Sequence, residues 1–382
     1  METEDAAMAS SSREFPRFAL IQLIRMTRHA LCMRLEKHLD AVLDTFPVDV
    51  SSTAPIEIGE LRRDTSIFKV DTENSPLIPR GVDVGEVFIV DTVPGMRIAC
   101  HPHIVGEELE SLCLDGSREF VRALMGLDLL DVSGLAVLHI LRAGSGYMVG
   151  EALPDGVPVI SVRTEYGEDG YRSHSDARTI GVSYRDYSSG DSLMDGVDTL
   201  LIPDTYATGR SAVTALGDLF ESGLSPERIV LYGFIAIPAL VKLGGFCSEE
   251  GIDLFSFSIC DIAQLGHNKY DMPLYGLDES LFVSAGETRC LGSIVDVQTL
   301  RAFLPIYVAG LDQPGDWSER QRSLFDGFSS ETGDIVGHLR KSVGLVESLR
   351  EINSRQPWYD DFHDGIALVE LGRLREAVRE YE

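Results

Sequence analysis

From Leu135 onward the chain alternates short, continuously apolar runs with helix-forming stretches, and that alternation limits its fold more than any other property. Apolar runs at 135–141, 157–162, 180–184, 199–202, 228–237 and 253–260 predict strands. Stretches at 146–152, 211–222 and 238–250 predict helices among them. A strand that is apolar on both faces has no side to turn to water, so helices must cover the sheet above and below. Helical crossovers also make neighbouring strands parallel. The expected fold is therefore α/β, a parallel sheet flanked by helices, with ligand chemistry gathered at the C-terminal ends of the strands.

The flanks read differently. Residues 1–14 form a Ser/Ala/acidic tail expected to be disordered. Residues 15–134 form an N-terminal extension expected to pack on the core. Within it, 15–46 carries Leu20, Ile24, Leu31, Leu35, Leu39, Val42 and Leu43 at helical spacing, 86–93 and 96–100 predict strands, and 106–127 predicts a helix. The core is expected to span 135–285. From 286 to 382 the strand pattern stops, and 295–310, 317–328, 333–350 and 362–381 predict a C-terminal helical appendage.

Charge and composition narrow the partners. The 382 residues hold 33 Lys and Arg against 61 Asp and Glu, a net charge of −28, which disfavours a nucleic-acid surface. No apolar run approaches the roughly 18 residues of a membrane span, and the start lacks a basic and then apolar leader, so the expectation is a soluble, cytoplasmic protein with no membrane partner. The six cysteines show no C-x-x-C spacing and read as buried small apolar residues.

Two loops carry candidate chemistry. The first follows the strand at 199–202 and reads Pro203-Asp204-Thr205-Tyr206-Ala207-Thr208-Gly209-Arg210-Ser211 before a helix. Backbone N–H groups, two hydroxyls and a helix N-terminus converging on one point suit a phosphate dianion. Asp204, at a loop position expected to lie outside the core, suits sugar hydroxyls. The alternative is a strand-to-helix turn capped by Thr208 or Ser211. The second loop follows 135–141 and reads Arg142-Ala143-Gly144-Ser145-Gly146, whose glycines permit close backbone approach and whose arginine offers a forked cation. Its alternative is a structural glycine turn. Together the loops would bracket a ligand with phosphate at both ends and a sugar between.

Residues 135–282 resemble a type I phosphoribosyltransferase, most closely the uracil phosphoribosyltransferase branch. The run Ile140-Leu141-Arg142-Ala143-Gly144-Ser145-Gly146 is similar to that branch's pyrophosphate loop, and Ala207-Thr208-Gly209-Arg210-Ser211-Ala212 to its 5′-phosphate loop. Arg163 matches a donor-contacting arginine. Tyr270-Asp271-Met272-Pro273, with Gly276, Asp278 and Leu281-Phe282, resembles the base-binding hood, and Leu61 to Thr65 is similar, more faintly, to an N-terminal segment of the branch.

The resemblance implies transfer of phosphoribose from phosphoribosyl pyrophosphate to a nitrogenous acceptor, with Mg²⁺ as cofactor and a homo-oligomeric state. It implies Arg142, Arg163 and Asp204 as the catalytic groups. Donor binding falls to Arg142 through Gly146, Arg163 and Asp204 through Ser211, and acceptor binding to Tyr270, Asp271, Gly276 and Asp278. No metal ligand is assigned. The chain departs from the pattern in three places. One acid, Asp204, stands at the second position of the usual acidic pair, Arg210 follows Gly209 where glycine is frequent, and the hood run Gly276-Leu277-Asp278-Glu279-Ser280 is one residue shorter. These departures point to an acceptor other than uracil. They also sustain a second reading, a non-catalytic sensor of the donor or of a nucleotide on the same fold.

Other residues read more plainly. Between Arg163 and Arg185, Tyr166, Tyr171, Arg172, His174 and Arg178 lie in a Gly-punctuated stretch that is either a closing loop or a solvated hairpin. His101 and His103 flank Pro102 and lack nearby cysteines or clustered acids, so they read as incidental rather than as metal ligands. His139 on its apolar strand reads as a core residue with its hydrogen bonds made.

Overall fold

The computed structural model describes residues 33–59, 61–167, 179–187 and 196–382. The tail at 1–14, the first half of the 15–46 helix and the stretch holding Tyr171, Arg172, His174 and Arg178 lie outside the described residues.

Nine strands form the spine of the main sheet: β1 (Thr53–Ile56), β2 (Thr65–Val70), β3 (Glu86–Thr92), β4 (Leu135–Leu141), β5 (Val159–Tyr166), β6 (Ile180–Arg185), β7 (Thr199–Pro203), β8 (Arg228–Ala236) and β9 (Asp253–Ala263). Their spatial order is β1-β2-β3-β9-β8-β7-β4-β5-β6. The six strands from β3 to β5 in that order are mutually parallel. β1, β2 and β6 add antiparallel edges.

Strand periodicity explains why both faces are covered. Ala136, Leu138 and Ile140 of β4, Leu200 and Ile202 of β7, and Ile229 and Leu231 of β8 face one apolar layer, and Val137, Leu201 and Val230 face the other. On the first face lie the helices that follow β7 and β8, here Arg210–Glu221 and Ile237–Glu250, through Ala215, Leu216, Leu219, Leu240 and Leu243. On the second lies Gly106–Gly126, through Leu109, Phe120 and Leu124, together with apolar residues of the C-terminal region. The helices are numbered in chain order: α1 (33–45), α2 (Val93–Cys100), α3 (Gly106–Gly126), α4 (Val149–Ala152), α5 (Arg210–Glu221), α6 (Ile237–Glu250), α7 (Glu279–Ala285), α8 (Val297–Phe303), α9 (Ile335–Asn353) and α10 (Asp361–Tyr381).

Two expectations need correction. Residues 96–100 are not a strand but the end of α2, because Thr92 caps that helix through its Oγ1, 3.0 Å from Gly95 N, and Pro94 presets its first turn. Residues 317–328 are not a helix. They run through turns into a hairpin of β13 (Leu324–Phe325) and β14 (Ser330–Glu331), and the two-residue strands β10 (Gly276–Leu277), β11 (Cys290–Leu291) and β12 (Ser293–Ile294) precede it. Asp326 turns the hairpin by accepting from Phe328 N and Ser329 N, both at 2.7 Å. Among the described residues, no helix is long and apolar enough to cross a membrane.

Candidate functional site

The sheet reverses its winding at β4. β5 follows on one side of β4 and β7 continues on the other, so the loops leaving the C-terminal ends of β4 and β7 diverge and leave a crevice between them. Both loops singled out from the sequence lie there. A cavity of about 540 Å³ fills the crevice, with Arg142 and Ala143 on one wall and every residue from Asp204 to Ser211 on the other.

Local geometry binds the two loops together. Residues Ala143–Tyr147 form a 3₁₀ turn after β4, and the Leu141–Arg142 peptide bond is cis. A Cβ on Gly144 would stand 2.8 Å from Pro203 O, so only glycine lets this turn lie against the end of β7. Tyr147 Oη and Thr205 Oγ1 share a hydrogen bond of 2.6 Å. The Tyr147 ring stacks on Trp317 with centroids 4.4 Å apart, and Trp317 Nε1 donates to Ala143 O at 3.2 Å.

The opposite wall carries the start of a helix. Gly209 takes φ 73° to turn the chain into α5, and no side chain caps that helix. Arg210, Ser211 and Ala212, its first turn, line the cavity. Backbone N–H groups of a helix's first turn and the positive end of its dipole can receive a phosphate. The Arg210 guanidinium lies 5.5 Å over the Tyr166 ring, which also lines the cavity.

Asp204 differs from expectation. It sits on the loop but is buried, 6 % exposed, with its backbone N–H donating to Tyr232 O at 3.0 Å. Burial pushes its carboxyl up to about 7, against the opposing effect of a hydrogen bond from the Thr205 backbone. A carboxyl held near 7 beside the start of a helix can either accept a hydrogen bond from a hydroxyl group or donate one to it.

The arginines are engaged. Arg142 Nη2 lies 2.7 Å from Glu319 Oε1, and its Nη1 lies 3.0 Å from Glu331 Oε2. Arg163, on β5, is not a lining residue. Its Nη1 reaches Asp326 Oδ2 at 3.1 Å and Asp326 O at 3.0 Å, and its Nε reaches Glu165 at 3.0 Å. The acids from the β13–β14 region therefore meet both cations that the sequence marks for an anionic ligand.

The remaining sequence candidates divide by position. Gly144, Ser145 and Gly146 lie behind the lining, with Ser145 Oγ donating to Arg142 O at 3.3 Å. Of the hood residues, Tyr270 lines the main cavity and Asp271 a neighbouring one of about 400 Å³. Gly276 pairs with Leu291 in a small buried ladder. Asp278 caps α7, accepting from Leu281 N at 3.2 Å and, through its other oxygen, from His267 N at 2.6 Å. The segment from Leu61 to Thr65 leans on α3, where Arg62 Nε lies 3.0 Å from Glu119 Oε1. His139 corrects its reading, since its buried Nε2 makes no hydrogen bond and burial lowers its pKa to about 4.

Sequence reasoning missed the third wall. Asp316, Trp317, Glu319, Asp334 and Lys341 line the cavity from the C-terminal region. The Pro314-Gly315 pair was a turn signal just before the stretch 317–328 read as helix, and Asp326-Gly327 inside it, between Leu324-Phe325 and Ser330-Glu331, was a hairpin signal.

No family model matches the chain, and neither does any curated protein. Solved structures do. A purine phosphoribosyltransferase from Pyrococcus horikoshii Ot3 is 11% identical over 39% of this chain and 85% of its own, with a TM-score of 0.25. An APRTase from Giardia lamblia complexed with 9-deazaadenine is 19% identical over 38% and 78%, at 0.25. An adenine phosphoribosyl transferase from Trypanosoma brucei, in complex with AMP, pyrophosphate and ribose-5-phosphate, is 15% identical over 38% and 64%, at 0.26. The chain is thus similar over about two fifths of its length to phosphoribosyltransferases, and none of these matches singles out the uracil branch.

Proposed function

We propose that this protein binds phosphoribosyl pyrophosphate in the cavity between β4 and β7 and transfers its phosphoribosyl group to a nitrogenous acceptor. One observation carries the reading: Asp204 and the open N-terminus of α5 face Arg142 across one cavity at the switch point of the sheet. Phosphate at α5, ribose hydroxyls at Asp204 and pyrophosphate toward Arg142 follow in that order. In the transfer, the bond from C1 to the pyrophosphate oxygen breaks, a bond from C1 to the acceptor nitrogen forms, and the acceptor's N–H proton passes to solvent.

This chain's own residues bind and orient. Fixed donors near the leaving group stabilise charge that develops as the bond breaks, and holding the acceptor in line removes much of the entropic barrier. The covalent chemistry requires no protein nucleophile. A Mg²⁺ ion, the cofactor that the resemblance implies, fits a cavity lined by Asp204 on the β7 loop and by Asp316, Glu319 and Asp334 on the third wall, whose carboxylates are hard oxygen donors of the type it prefers. Bound there, it would supply charge neutralisation at the pyrophosphate.

The acceptor we infer is not uracil. The supporting observation is the placement of Gly276 and Asp278 in a ladder and a helix cap, while Trp317 and Tyr270 wall the cavity. A second reading, a sensor that binds the donor without turnover, is supported by the ion pairs of Arg142 with Glu319 and Glu331, which an anionic ligand at Arg142 must displace.

The test is pyrophosphate release on mixing protein, donor, Mg²⁺ and a panel of pyrimidines, purines and heteroaromatic amines, beside calorimetric binding of the donor alone. Release with any base other than uracil supports transfer. Binding without release supports the sensor, rapid uracil turnover refutes the acceptor inference, and failure to bind donor refutes both readings.

A further inference from the structure

We propose that His101, His103 and Glu370 form a binding site for a zinc-class divalent cation, separate from the cavity described above. The two histidines flank Pro102 in the short connection between α2 and α3, and Glu370 projects from α10. His101 Nδ1 lies 2.9 Å from Glu370 Oε2, and His103 Nδ1 lies 2.5 Å from Glu370 Oε1. One ligand atom from each residue falls within 4.8 Å of the other two. The sequence set the histidine pair aside for want of an acid, and folding delivers one from the far end of the chain.

The chemistry of the donors selects the ion. Two imidazole nitrogens and one carboxylate oxygen suit Zn²⁺, which takes three protein ligands in sites that keep a fourth position open. Mg²⁺ and Ca²⁺ prefer oxygen alone. The fourth position has somewhere to face, since His103 borders a cavity of about 330 Å³ whose walls include Glu108, Arg373 and Tyr381. Arg373 Nη1 lies 3.7 Å from Glu370 Oε2, and its side chain is half exposed, free to swing outward as a cation arrives.

The site is also held from behind, as a metal site requires if its ligands are not to collapse. Arg320 is wholly buried, and its Nη2 donates to the carbonyls of Ile98, His101 and Ile104 at 3.1–3.2 Å. His338 Nε2 lies 2.9 Å from Pro102 O. The backbone that carries both histidines is therefore fixed by groups unconnected with Glu370, while Glu370 itself is 1 % exposed. On binding, each Nδ1 gives its lone pair to the ion while its ring carries the proton on Nε2 instead, and any proton released passes to solvent.

The experiment is calorimetric titration of chelator-treated full-length protein with Zn²⁺ and, separately, with Mg²⁺, repeated with His103→Ala, Glu370→Gln and His38→Ala. Co²⁺ loading supplies a second readout, the visible absorption of a four-coordinate ion. The expected result is one Zn²⁺ bound in preference to Mg²⁺, weakened about 10–100-fold by either of the first two substitutions. His38→Ala alters the other His/Asp cluster, with Asp360 and His363, and should leave that binding and the Co²⁺ spectrum unchanged. Far-ultraviolet dichroism of His103→Ala, a partly exposed position, guards against loss of fold. Absence of Zn²⁺ binding, equal affinity in all variants, or loss only with His38→Ala would each overturn the proposal.

Discussion

Replacing Asp204 with asparagine should make the folded protein more stable at pH 8 while damaging its binding of donor. Burial holds the Asp204 carboxyl at about 7, against an ordinary value of 3.8. A raised carboxyl favours the folded state while protonated, so wild-type stability falls as pH rises from about 4 to about 7 and is level above that. At about 1.4 kcal/mol for each tenfold change in proton affinity, the displacement corresponds to about 4 kcal/mol. Solvent entering from the mouth of the cavity screens part of this, so the expected gain for Asp204→Asn is about 1–3 kcal/mol at pH 8. At pH 4 the two proteins should be equally stable. Urea unfolding at pH 4, 6 and 8 measures the gap. Donor affinity should fall about tenfold or more, the loss of one charge-assisted hydrogen bond. A gap that does not vary with pH, or a variant less stable at pH 8, would refute the argument that Asp204 is buried at an energetic cost.

Three further outcomes are expected. Arg142→Ala should weaken pyrophosphate binding about 10–100-fold and ribose 5-phosphate binding less than about threefold, because a lost charge-assisted contact is worth about 1.5–3 kcal/mol at one end of the ligand only; equal losses in calorimetry would make this loop a structural turn. Glu331→Gln should raise pyrophosphate affinity about two- to fivefold, since the half-exposed pair with Arg142 is worth at most about 1 kcal/mol and competes with the ligand; unchanged or weaker binding would count against that competition. Arg320→Met should destabilise the fold by about 3 kcal/mol or more in urea, because the carbonyls of Ile98, His101, Ile104 and Pro314 lose their donor in a buried setting; a loss under 1 kcal/mol would mean that they find other partners.

Much of the sheet was legible because burial on both faces leaves a local signature. Leu135–Leu141 is apolar at every position but His139 and is β4, and the Asp204–Ser211 loop announced itself through turn and capping chemistry confined to a few neighbouring residues. The failures share a different cause. Residues 96–100 have the apolar content of a strand, and the decisive information sat upstream in Thr92 and Pro94. Trp317 and Glu319 acquire their meaning from Tyr147 and Arg142, far away in sequence. Asp278 looks like a base-reading acid in its run of residues, yet it caps α7 and its other oxygen is taken by His267 N from an earlier loop. Local pattern predicts elements, whereas the walls of a site built from three regions depend on how those elements assemble.

The place of β3 in the sheet has a consequence for how the chain acquires its structure in time. Phe88 of β3 stands beside Phe257 of β9 in parallel register, so although β2 can pair with one edge of this strand early, its other edge has no partner until a long stretch of chain has followed it. Closing so large a loop costs entropy before any pairing repays it, and folds dominated by distant contacts form slowly. Val87 and Ile89, both fully buried at the end, must wait with their apolar surface open to other molecules. Synthesis of this protein should therefore depend on holdase-type chaperones to a degree that its final stability does not reveal.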